Sequence, residues 1–132
     1  MNAGLDTSVV LRLLVGKPPE QAASAIAFLD AVHRRGEHAV VSDLVVAETY
    51  FALQFHYGVS KTDALASLAS LFSTGEISST GEAGSALARP GLATAKPGMV
   101  DRLIHAAYVG DGGSMATFEK ASGKLPGVTV LK

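Results

Sequence analysis

The sequence predicts an α/β fold, a three-layer α/β/α sandwich in which helices cover both faces of a central parallel sheet. Two observations favour this fold. Short apolar stretches alternate along the chain with longer segments whose apolar residues recur at helical spacing. Cap residues and glycines mark the boundaries between these segments. The chain has 132 residues, of which 48% are hydrophobic, so a single domain spanning 1–132 can bury a core.

The N-terminal half is predicted to hold two strands and four helices. Asp6 can cap the first helix, Pro19 suits a helix start, and Ser60 can cap the fourth helix. Either Ser42 or Asp43 can cap the third. The predicted elements are a strand at 2–5, a helix to about 15, a helix at 20–35, a strand at 38–41, and helices at about 43–56 and 61–72.

The C-terminal half is predicted to continue the alternation with shorter elements. Segments rich in proline and glycine at 89–91 and 95–98 separate them. The predicted elements are a weak strand at 76–79, a short helix at 81–88, a helix at 100–109, a strand at 114–117, a helical turn at 118–122 and a strand at 128–131. Ligands of parallel α/β sheets bind beyond the carboxyl ends of the strands, which directs attention to the residues that follow them.

Composition excludes several classes of function. The chain has no cysteine, which rules out disulfide scaffolds, thiolate zinc sites and cysteine catalysis. We expect neither a signal peptide nor a membrane span, and we expect a cytoplasmic protein. The formal net charge of −1 gives no global basic field, so nucleic-acid binding would need a local patch helped by metal ions.

Four carboxylates occur beside apolar residues and carry the functional argument. They are Asp6, Glu48, Asp101 and Glu119. Buried carboxylates are costly without a partner, and no matching set of buried Lys or Arg is visible in the sequence. Because Mg²⁺ and Mn²⁺ prefer oxygen ligands, a divalent ion is the simplest common partner. We therefore expect the four acids to surround a metal site.

Each acid also has a structural explanation. Asp6 could simply cap a helix, and Asp101 and Glu119 could complement a helix dipole from the first turn. Glu48 has only apolar neighbours three and four positions away in sequence, so no local ion pair explains it. The four acids occur at comparable ends of consecutive α/β units, and this joint pattern favours the metal site.

Four segments resemble the motifs of PIN-domain ribonucleases, in order and over almost the whole chain. The segments are LDTSVV at 5–10, VSDLVVAET at 41–49, VDRLIHAA at 100–107, and TFEK at 117–120 followed by LPGV at 125–128. In length the chain is most similar to the VapC-type toxins of prokaryotic toxin–antitoxin pairs. Glu119 departs from the family pattern, which usually has Asp at that position.

The resemblance implies a PIN-like fold and an endoribonuclease that depends on Mg²⁺ or Mn²⁺. It implies that Asp6, Asp101 and Glu119 hold metal and that Glu48 completes the catalytic acids, with one or two ions bound. It also implies an RNA substrate, a homodimer and a cognate antitoxin. The remaining assigned residues are Ser8 and Thr117, which would support the acids by hydrogen bonds, and Arg12 and Arg102, which are candidate phosphate contacts with solvated surface charge as an equal alternative.

Two rival functions remain open at this stage. The first is a catalytically weak PIN-like module that binds RNA or protein, which the Glu119 departure and the mild net charge keep open. The second is a nuclease that cuts DNA flaps, although the short chain lacks the long insertions that such enzymes tend to carry.

Overall fold

The structure, a computed structural model, describes residues 2–132. Its strands are β1 (Asn2–Gly4), β2 (His38–Val41), β3 (Ile77–Ser79), β4 (Met115–Thr117) and β5 (Val128–Val130). Its α-helices are α1 (Thr7–Val15), α2 (Pro19–Arg34), α3 (Asp43–Phe55), α4 (Lys61–Ser73), α5 (Ala83–Leu87) and α6 (Met99–Gly110). Two 3₁₀ turns, Leu92–Thr94 and Lys120–Lys124, complete the described elements. None of the helices within 2–132 is both long enough and apolar enough to cross a bilayer.

All strand pairs are parallel, which confirms the predicted α/β class. β1 pairs with β2 and β2 pairs with β3 in a three-stranded sheet, while β4 and β5 form a second sheet of two strands. The sequence predicted one central sheet, and the described residues form two. Each strand has only three or four residues, so each strand pair contributes few hydrogen bonds. In the three-stranded sheet β2 is central, and β1 is an edge strand.

One hydrophobic core joins both halves of the chain. Its fully buried side chains come from five helices and a strand, and the largest of them are Val10, Val32, Val41, Val46 and Leu68. Met99 and Leu103 of α6 belong to the same core cluster. The helix that carries Asp101 is therefore packed on the same core as the helix that Asp6 caps.

Candidate functional site

Asp6 lies between β1 and α1 and is the N-cap of α1. Its Oδ1 accepts hydrogen bonds from the Ser8 hydroxyl at 2.7 Å and from the Val9 backbone N–H at 3.1 Å. These bonds, the one from Ser8 foremost, lower the pKa of the Asp6 carboxyl below its ordinary value because they stabilise the charged form. Ser8 thus makes the hydrogen bond to Asp6 that the resemblance implies, and the lowered pKa favours the ionised carboxylate.

Glu48 is joined to the start of α1 by a side-chain hydrogen bond. The Thr7 hydroxyl donates to Glu48 Oε1 across 41 positions of sequence. Thr7 directly follows Asp6, so the contact brings the acid on α3 next to the helix end that Asp6 caps. Glu48 is thus bound to the residue that directly follows Asp6.

Asp101 and Glu119 both line one open cavity of about 440 Å³. Asp101 is in the first turn of α6, where a negative charge complements the helix dipole. Glu119 follows β4, and its backbone N–H donates to the Thr117 hydroxyl at 3.0 Å. Thr117 thus holds the backbone of Glu119 and not its carboxylate, which differs from the predicted support of the acid itself.

Helix α3 connects the surroundings of Glu48 to the cavity that contains Asp101 and Glu119. Phe51, one helical turn after Glu48, lines the same cavity as Asp101 and Glu119. A second, apolar groove lies between Leu44 and Ala47 of α3 and Val100 and Ile104 of α6. Within 2–132, however, no three Asp, Glu, His or Cys side chains lie close enough together to hold one metal ion.

The expectation that the four acids lie in buried apolar surroundings is wrong. All four side chains are exposed. In Glu48 the reason is the register of α3, which turns Thr49 and Tyr50 into the core and leaves Leu44, Glu48, Phe51 and Phe55 outward. The carboxylates are hydrated, so the cost of burying them does not explain their positions.

The two candidate phosphate contacts differ in their surroundings. Arg12 Nε donates to Gln21 Oε1 in a groove that also contains Ser8. Arg102 Nε donates to the Pro97 backbone carbonyl at 2.9 Å, and the side chain lines a separate cavity together with Glu82. The acid in the Arg102 cavity is therefore Glu82, at the start of α5. Neither Asp101 nor Glu119 lines that cavity.

Two lysines belong to the site and were missed from the sequence. Lys61 and Lys96 line the cavity that contains Asp101 and Glu119. Lys96 lies in the segment at 95–98, just before α6 and the third motif. This closeness to the motif in sequence could have identified Lys96 as a site residue. Lys61 is the first residue of α4 and carried no such signal, because its approach to α6 depends on tertiary packing.

The aromatic residues of α3 divide between core and surface. Tyr50 is buried, whereas Phe51 and Phe55 are exposed and stack with their ring centroids 6.2 Å apart. The structure assigns Tyr50 to the core and leaves the two phenylalanines accessible.

Comparison with known proteins leaves the chain without an assigned family. No protein-family model, no curated protein and no solved structure matches it.

Proposed function

We propose that the chain is a divalent-metal-dependent endoribonuclease with a PIN-like three-layer fold, the toxin of a toxin–antitoxin pair. The observation that carries the proposal is the cavity shared by Asp101, Glu119, Lys61 and Lys96. It combines carboxylates that can bind a hard cation with ammonium groups that can bind a phosphodiester. Glu48 is one helical turn from this cavity.

The donor chemistry of the acids fits Mg²⁺ or Mn²⁺. All four side chains offer carboxylate oxygens, and the hydrogen bonds to Asp6 favour its charged form. The one ion pair within 2–132 joins Arg35 to Glu37, so none of the four acids is neutralised by a basic side chain at ion-pair distance. Within 2–132 no three carboxylate side chains are close enough to share an ion, so Asp6, Asp101 and Glu119 would have to move towards one another to hold it. When bound, it would supply the positive charge that metal-assisted hydrolysis of a phosphodiester requires.

The remaining site residues would bind and orient. Lys61 and Lys96 would attract the substrate phosphate by charge. Glu48, held by Thr7, would orient the water that attacks phosphorus. Ser8 would keep Asp6 charged and directed towards the site.

Cleavage of single-stranded RNA tests this proposal. We expect the purified protein to cleave RNA when Mg²⁺ or Mn²⁺ is present. Excess chelator should abolish the cleavage. Asp101→Asn and Glu119→Gln should lower the rate more than about 100-fold, because each removes a charged ligand while keeping the side-chain shape. Asp30→Asn, on the exposed surface of α2, is the matched control and should cut at the wild-type rate. Cleavage that persists in chelator would refute the proposal.

One observation favours the alternative of a protein-binding module. Leu44 is 79% exposed, and Ile104, which is 47% exposed, lines the α3–α6 groove with it. An exposed apolar groove of this kind is typical of protein interfaces. In the proposed toxin, this surface would serve the homodimer and the antitoxin. In a binding module, Leu44→Gln would abolish the protein's activity in cells although Asp101→Asn would not.

A further inference from the structure

A groove between α1 and α2 opens beside the Asp6 end of the site. It has a volume of about 250 Å³ and is lined by Ser8, Val9, Arg12, Ala25 and Phe28, with Gln21 at its edge. α1 and α2 follow each other in the chain and pack together along this groove. Its wall is mainly apolar, and its one formal charge is the guanidinium of Arg12.

Arg12 is arranged to receive an anion. Its Nε donates to Gln21 Oε1, which fixes the plane of the guanidinium and leaves the two terminal nitrogens free to donate. The side chain is half-buried, and within residues 2–132 the only ion pair is the one between Arg35 and Glu37. A positioned guanidinium with no carboxylate partner is complementary to a phosphate group.

Phe28 gives the same groove an aromatic surface. The side chain is 44% exposed although it is large and apolar, and it lies with Ala25 and Val9 along the groove. Nucleic-acid bases stack on exposed aromatic rings independently of sequence. A phosphate at Arg12 would therefore leave its base free to contact Phe28.

Ser8 links the groove to Asp6. Ser8 donates to Asp6 and also lines the groove. Arg12 is four residues later on α1, which is about 6 Å along the helix axis. A nucleotide in the groove would therefore lie next to a phosphate bound at Asp6.

We infer that the α1–α2 groove binds one nucleotide of the single-stranded substrate next to the scissile bond, with its phosphate on Arg12 and its base on Phe28. The inference rests on the proposed function and assigns the phosphate contact to Arg12, not to Arg102. Gln21 is a positioning residue in this account, because it acts on the substrate through Arg12.

Binding of a short oligoribonucleotide at several salt concentrations, with chelator present to prevent cleavage, tests the inference. Arg12→Gln should weaken binding about 10-fold and reduce the slope of log affinity against log salt by about 0.7, the contribution of one phosphate contact to a single strand. Gln21→Glu should reduce the slope equally, because a carboxylate would then neutralise Arg12. Phe28→Leu should weaken binding about 10-fold with the slope unchanged.

Arg34→Gln is the matched control, since it removes the same charge from an exposed position at the end of α2. It should leave affinity and slope at the wild-type values. Equal slopes for Arg12→Gln and the wild type would overturn the inference, and this is the result expected if a protein segment occupies the groove instead.

Cleavage with Mn²⁺, measured on the same samples, separates the two proposals. Wild-type cleavage with an unchanged Arg12→Gln slope refutes only the groove. An Arg12-dependent slope without wild-type cleavage refutes the nuclease, and with it the scissile bond, and leaves the groove as a nucleotide-binding site.

Discussion

At the scale of single residues, Asp6 has two roles that substitution can separate. It caps α1 through the Val9 N–H, and it is a proposed metal ligand. Asn caps helices about as well as Asp, whereas Ala does not. We therefore expect Asp6→Asn to retain stability and lose RNA cleavage, and Asp6→Ala to lose cleavage and about 1 kcal/mol of stability. Denaturant unfolding beside a cleavage assay checks this, and full activity in Asp6→Asn would exclude Asp6 as a ligand.

The hydrogen bond from Ser8 predicts how stability depends on pH. It lowers the folded-state pKa of Asp6 below the ordinary value of 3.8, so the ionised carboxyl is favoured in the folded protein. This stabilisation is fully present above 3.8 and is lost as the pH falls through the lowered folded pKa. We expect Ser8→Ala to be less stable than the wild type near neutral pH and the difference to shrink in acid. A difference that grows towards acid pH would contradict this sign.

The sequence indicated which residues are candidates for the site, but their exposure could not be predicted from it. Apolar neighbours in sequence suggested that Glu48 was buried. Burial depends instead on which face of α3 meets the core, and that face carries Thr49 and Tyr50. Because α3 is apolar on nearly every side, its sequence gave no clear indication of its inward face.

At the scale of elements, helix boundaries were predicted well because their signals are local. Ser60 accepts from the Asp63 N–H at 3.1 Å, and Gly16 ends α1 in the left-handed conformation. The 3₁₀ turn Leu92–Thr94 was missed, since it follows a proline–glycine segment without helical periodicity. Local caps therefore define where helices begin, while irregular turns depend on their surroundings.

Asp43 shows how a long-range cap escapes sequence analysis. Ser42 caps α3, and the Asp43 carboxylate accepts from the backbone N–H groups of Glu82 and Ala83 at 3.0 and 2.9 Å. The contacts join the start of α3 to the start of α5 over about 40 residues of sequence. The pairing was not predictable because both partners of α5 are backbone groups.

We expect Asp43→Ala to destabilise the fold by about 2 kcal/mol, the usual cost of losing hydrogen bonds to a charged group. Asp30→Ala on exposed α2 is the control and should change stability by less than about 0.5 kcal/mol. Denaturant unfolding measures both. Equal stability of the two variants would show that the Asp43 contacts contribute nothing.

At the scale of the whole molecule, the sequence predicted the parallel α/β class but not the division into two sheets. The order of strands depends on contacts between distant segments, which hydrophobic periodicity does not specify. The relative positions of the four candidate acids also depend on contacts between distant segments, because the acids come from α3, α6 and the ends of β1 and β4. The core that includes Val10, Val46 and Leu103 holds α1, α3 and α6 together, which are the helices that Asp6 caps and that carry Glu48 and Asp101.

The central claim is that folding gives these carboxylates a common divalent ion, and Mn²⁺ binding followed by electron paramagnetic resonance tests it most directly. We predict that the wild-type protein binds Mn²⁺ and that Asp101→Asn and Glu119→Gln each weaken binding at least about 10-fold. Asp30→Asn should bind as the wild type does. A wild-type protein that does not bind Mn²⁺, or binds it equally well without Asp101 and Glu119, would contradict the claim.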